Sequence, residues 1–118
     1  MANDNQNNQK TNKFVEPFET GSLLATAGVS NAIHSGTDEG IMFRHFVADS
    51  FGKHIACNWG DLDAEDIEVN NDALKHGGRL FSAYIPKQYP QLDNEEYKIW
   101  IITESSRTST TILFPSEY

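Results

Sequence analysis

Arg79-Leu80-Phe81-Ser82-Ala83-Tyr84, Ile99-Trp100-Ile101-Ile102-Thr103-Glu104 and Ser109-Thr110-Thr111-Ile112-Leu113-Phe114 are the stretches whose reading decides the fold. Each is rich in β-branched and aromatic residues and flanked by turn formers, which predicts strands over 79–85, 97–103 and 109–114. Glu104-Ser105-Ser106-Arg107-Thr108 reads as the turn between the last two. Pro86 and Pro90 keep the long connection from Pro86 to Glu96 out of the sheet. Sequential strands usually pair, so the expected sheet is a three-stranded antiparallel meander. In its strongest strand Ile99 and Ile101 point one way while Trp100 and Ile102 point the other. Both faces are then apolar. One takes the helices, and the other needs the N-terminal segment or a second copy of the chain.

Working outward, the residues before the sheet carry helical signals. Leu23-Leu24-Ala25-Thr26 reads as one helical turn. Thr26 is placed to cap a second short helix from Ala27 to His34, closed by Ser35-Gly36. Thr37 or Asp38 caps the next, from Glu39 to Lys53, with Gly52 at its end. In it Met42, Phe43, Phe46, Val47 and Phe51 recur at the three- and four-residue spacing of one buried face. After the connector Trp59-Gly60-Asp61-Leu62, Asp63 with Asp66 three residues on forms a capping-box-like start for a helix from Ala64 to His76. Gly77-Gly78 stops it. Residues 1–13 are almost wholly polar and read as a disordered tail, with order beginning near Phe14. The fold class is therefore α+β: short N-terminal helices packed on a C-terminal meander, one domain over 14–118.

At 118 residues the chain fits one domain with an ordinary small core. No apolar run approaches the roughly 18 residues of a membrane span. Met1-Ala2-Asn3-Asp4 lacks the charged start and apolar stretch of a signal peptide. The single cysteine, Cys57, has no internal partner, so a reducing cytoplasm is expected. The formal net charge is −8, of which −2 falls in residues 1–58 and −6 in residues 59–118. That balance argues against direct contact with nucleic acid, which needs basic clusters.

Lys53-His54, Asn58-Trp59-Gly60-Asp61-Leu62-Asp63-Ala64-Glu65-Asp66, Asn70, Ala73-Leu74, Gly77-Gly78-Arg79-Leu80 and Ser82-Ala83-Tyr84 form one motif block. Ile99 to Glu104, Arg107, Ser109 to Leu113 and Pro115-Ser116-Glu117-Tyr118 form a closing block, and Leu23 to Thr26 with Gly28-Val29 an opening. Together they resemble a family of small bacterial proteins carried on plasmids, integrative elements and phages, often labelled plasmid-related or, loosely, type I restriction subunits. Residues 1–13, the length of 37–49 and of 86–96, and Cys57 depart from the family pattern. The resemblance implies a mobile-element accessory protein and brings with it no defined chemistry.

Three constellations could carry function. In the first, His54, Trp59 and Asp61 lie near Asp66 and Asn70, which share a helical face with Val69. Either Asp66 and Asn70 fasten the connector and first strand, or they line a polar cleft in which His54 carries a proton. In the second, Glu104 and Arg107 sit among hydroxyls at a strand end, as an anion site or as plain turn chemistry. The third is the acidic stripe Glu65, Glu68 and Asp72, a solvated face or a mimic of phosphates that spans only about 10 Å at 1.5 Å per residue. The four histidines show no metal-ligand spacing and no nucleotide-binding loop is present, so no metal or cofactor is expected. The expected function is protein–protein interaction, with a nucleic-acid-binding defence protein of the restriction or CRISPR type as partner and no membrane. The alternatives are a ligand-binding module or minor enzyme built on His54, Asp61, Glu104 and Arg107, and a homodimer through the sheet face.

Overall fold

A computed structural model describes residues 17–118. The tail expected over 1–13 and the start of order at Phe14 lie outside the described residues. The elements run β1 (Ser22–Ala25), α1 (Ala27–Ile33), α2 (Asp38–Ile55), α3 (Ala64–His76), β2 (Leu80–Tyr84), β3 (Ile99–Thr103), β4 (Ser109–Leu113) and a closing 3₁₀ turn (Pro115–Glu117). The class is mixed α and β.

The sheet has four strands in the order β1-β4-β3-β2. β2 and β3 pair antiparallel, as do β3 and β4, while β1 lies parallel to β4 with Leu24 opposite Thr111. The expected three-stranded meander is thus corrected to a four-stranded mixed sheet, and a strand precedes the helices. The segment Leu23–Ala25, read as a helical turn, is part of that strand. So short an apolar run carries no decisive period. Long-range pairing settles it: Gly21 adopts φ +64 against β4, so close that a Cβ would lie 2.2 Å from the carbonyl carbon of Thr108. The Ser22 N–H then donates to Thr108 O.

α2 buries Phe43, Phe46 and Val47, as its spacing predicts, against Val29 of α1 and Ile99, Ile101 and Ile112 of the sheet. Thr37 caps it by accepting from Gly40 N–H at 3.0 Å. The long connection returns Leu92 to this core at 4% exposure. A second cluster joins Phe18, Trp59 and Leu80 to Ile67, Ala73 and Leu74 of α3, which lies along the β2 edge. Asp63 caps α3 as expected, accepting from Asp66 N–H at 2.8 Å.

Two capping expectations are corrected. Thr26 stands at the N-cap of α1, where its carbonyl accepts from the Ser30 N–H at 2.9 Å, but its side chain does not cap the helix. Instead Glu117, from the closing turn, accepts from Thr26 Oγ1–H and from the Gly28 N–H. Its pKa is lowered, first by the Thr26 hydrogen bond. Gly52 does not end α2, which continues to Ile55.

A glycine inside a helix costs about 0.5–1 kcal/mol relative to alanine. Nothing lies within 4 Å of a Cβ built on Gly52. Gly52→Ala is therefore expected to stabilise the protein by roughly that amount, read as a raised denaturant midpoint at constant slope.

Candidate functional site

His54 lies in the last turn of α2 and is fully buried. α2 aims its ring at the sheet because 43, 46, 47, 50 and 54 share one face. Its Nδ1 meets Ser82 Oγ at 2.6 Å and its Nε2 meets Thr103 Oγ1 at 2.9 Å. Thr103 Oγ1 in turn meets Thr110 Oγ1 at 2.8 Å, and Thr110 donates to Thr20 O at 2.8 Å.

The end of this chain fixes its direction. A carbonyl only accepts, so Thr110 spends its single proton on Thr20 and accepts from Thr103. Thr103 then has no proton left for His54 and accepts from Nε2–H. With the proton on Nε2, a neutral imidazole leaves Nδ1 to accept from Ser82. Burial alone lowers the His54 pKa to about 4, which agrees with that assignment. Phe18 and Trp59 stand edge-on to the ring at 5.5 and 5.6 Å and close it off. This histidine bonds strands to helix and meets no solvent-filled cleft.

The connector and α3 seal the outer edge of β2. Asn70 accepts from the Phe81 N–H at 3.0 Å and donates to Phe81 O, standing where a neighbouring strand would. Ala83 N–H donates to Trp59 O, and Asp61 N–H donates to Ala83 O at 2.7 Å. Asp61 Oδ2 accepts from Ile85 N–H at 2.9 Å, and Oδ1 from Lys87. Burial opposes ionisation of Asp61, but these two hydrogen bonds and the charges of Lys87 and Lys53 outweigh it and lower its pKa. Trp59 is packed at 3% exposure with its indole N–H on Asn71 Oδ1. Of the pair expected to fasten the connector and strand, Asn70 holds the strand, while the connector is bonded instead by Asn71 through the Trp59 indole. Asp66 contributes its backbone N–H to the helix cap.

Arg107 is held in the left-handed region at φ 60. Its guanidinium donates to Gly78 O at 2.6 Å, Glu104 O at 3.1 Å and Ala73 O at 3.3 Å. It thus ties the β3–β4 turn to the end of α3, and Glu104 supplies a backbone carbonyl there. Asp61 bonds beside Ile85 and Arg107 beside Gly78, at opposite ends of β2 and roughly 20 Å apart at about 3.3 Å per residue. His54, Asp61, Glu104 and Arg107 therefore do not converge on one cavity.

Glu65, Glu68 and Asp72 are exposed on the outer face of α3, with Val69 beside them at 61% exposure. Their one ion pair among the described residues is a surface contact of Asp72 with His76 at 3.7 Å. Cys57 is half-buried, and burial raises its pKa. Among the described residues no group of three or more His, Cys, Asp or Glu side chains could hold a metal, and no helix is long and apolar enough to cross a membrane.

The sequence places Trp100 on the second apolar sheet face but does not bring Arg79 and Tyr118 to it; the three meet on the face away from α1 and α2. The alternation of positions 79 and 81 with 100 and 102 was their only local signal. No protein-family model, curated protein or solved structure matches the chain.

Two predictions follow from this geometry. Asn70→Ala leaves both polar groups of Phe81 without partners and is expected to cost about 2 kcal/mol, measured by urea unfolding. For His54, the folded value of about 4 lies below the ordinary 6.5. Between those values the unfolded chain binds a proton that the folded chain does not. The His54 contribution is therefore complete above pH 6.5 and is lost as pH falls toward 4. At 1.36 kcal/mol per unit it amounts to roughly 3 kcal/mol. Unfolding free energies of the wild type should rise across that window, and His54→Asn should flatten the rise.

Proposed function

We propose that the protein is a cytoplasmic accessory protein of a mobile element, acting by binding another protein, and that its partner belongs to a host defence system of the restriction or CRISPR type. The observation that carries the reading is the outer face of α3. Glu65, Glu68 and Asp72 are exposed around Val69, and none of the three carboxylates bonds another element among the described residues. By contrast His54, Trp59, Asp61 and Arg107 are spent on internal bonds. An acidic face with an apolar centre suits the basic surface of a nucleic-acid-binding protein, where complementary charge speeds encounter and sets register. The resemblance to plasmid and phage proteins supplies the defence context.

Lysine at all three positions, Glu65→Lys, Glu68→Lys and Asp72→Lys, tests it. Position 65 is in the first turn of α3, where a carboxylate favours the helix dipole by about 0.5 kcal/mol, so the variant should stay folded. The wild-type protein is expected to capture a dominant partner from host lysate that elutes with rising salt. The triple variant should bind that partner about tenfold more weakly or worse. Undiminished capture by the folded variant would overturn the acidic-face reading.

A further inference from the structure

The sheet face away from α1 and α2 holds a second candidate, separate from the acidic helix. By register Ala83, Trp100 and Leu113 form one row of this face, and Phe81, Ile102, Thr111 and Leu24 the next. A cleft of about 220 Å³ opens there between Arg79, Phe81, Trp100, Ile102 and Tyr118. Phe81 stands edge-to-face with Trp100 at 5.1 Å and 88°, and Tyr118 does so at 5.6 Å and 69°. Neither ring lies stacked on the indole. Ile102, at 5% exposure, is the aliphatic wall.

We propose that this cleft binds one flat aromatic ring carrying an anionic group. The volume is below the roughly 300–1,000 Å³ of sites for drug-sized ligands, so it suits one ring system rather than an extended molecule. Three aromatic walls offer offset-stacked and edge-on contacts to such a ring. The charge is set by Arg79. Its guanidinium donates to Tyr118 Oη and lies 5.5 Å from the centre of the Tyr118 ring. A guanidinium carries five N–H donors in a fixed fork that matches a carboxylate or phosphate. The chain is acidic, yet among the described residues no Asp or Glu lines this cleft. Among the described lining residues the one charged side chain is a cation, and an anion is the complementary ligand. One cation is too few for a nucleic-acid strand, whose affinity rests on many neutralised phosphates. The matching chemistry is shared by mononucleotides and by aromatic carboxylates.

The two indoles make the test internal to one spectrum. In the full-length protein labelled with ¹⁵N, the Trp100 indole N–H reports the cleft. That of Trp59, bonded to Asn71 and 3% exposed, reports the fold. The probes are AMP and 4-hydroxybenzoate, with adenosine and 4-hydroxybenzamide as neutral counterparts. The expected result is a saturable shift of Trp100 alone with at least one anion, at a dissociation constant near the millimolar range. Saturation by AMP alone marks a nucleotide, and by 4-hydroxybenzoate alone an aromatic acid. Loss of the charged hydrogen bonds should weaken binding about tenfold, both for the neutral counterpart and for Arg79→Gln. No saturable Trp100 shift with either anion would overturn the proposal. So would equal binding of the neutral counterparts, equal binding by Arg79→Gln, or a shift of Trp59 as large as that of Trp100.

Discussion

The buried hydrogen-bond chain from Ser82 through His54, Thr103 and Thr110 to the carbonyl of Thr20 is the constraint on which the rest depends. It joins α2, β2, β3, β4 and the segment leading into β1. A polar strip inside an apolar core is tolerated only when every member has a partner. Its donors and acceptors match in one direction only, so the elements that supply them must meet in one arrangement. Moving α2 by a turn, or shifting any strand by a residue, would orphan several groups at once. Phe18 and Trp59 close the strip from outside and link it to the second cluster.

The two edges of the sheet are treated differently. At β2 the polar groups of Phe81 and Ala83 and the following Ile85 N–H are all taken by Asn70, Trp59 and Asp61. This is the protection that an exposed edge requires against pairing with another chain. β1 forms the other edge, four residues long and exposed along its length. The shortness of such an edge is itself a safeguard. Polar residues that look catalytic in isolation thus serve the sheet: Asp61 holds an edge and Arg107 ties a turn to a helix. The surface these bonds leave is acidic along α3 and carries Arg79 among aromatic rings on the sheet face away from α1 and α2.

Much of the fold was legible because it is written in local patterns. α2 was readable from its apolar spacing, α3 from Asp63 and Gly77-Gly78, and β2 to β4 from β-forming runs between turn residues. Asn70 was recognisable as a fastener because a polar residue beside the inner face of a helix needs a partner. Other features had no local signal. β1 is too short to show a period. The cap supplied by Glu117 to α1 joins residues 89 positions apart. The cleft around Trp100 needs three segments that only the sheet brings together.

By itself the sequence determined the acidic charge, the helix and strand segments with the strongest periods, and the stop of α3 at Gly77-Gly78. These depend on propensity, side-chain spacing and capping, which act within a few residues. Tertiary structure alone decided that Leu23–Ala25 is a strand, that His54 is a neutral internal bond, that Arg107 and Asp61 lie at opposite ends of β2, and that Arg79 meets an aromatic cleft. Each of these depends on which distant groups satisfy a backbone or side-chain partner. The free energy of that choice resides in long-range contacts that no local window contains.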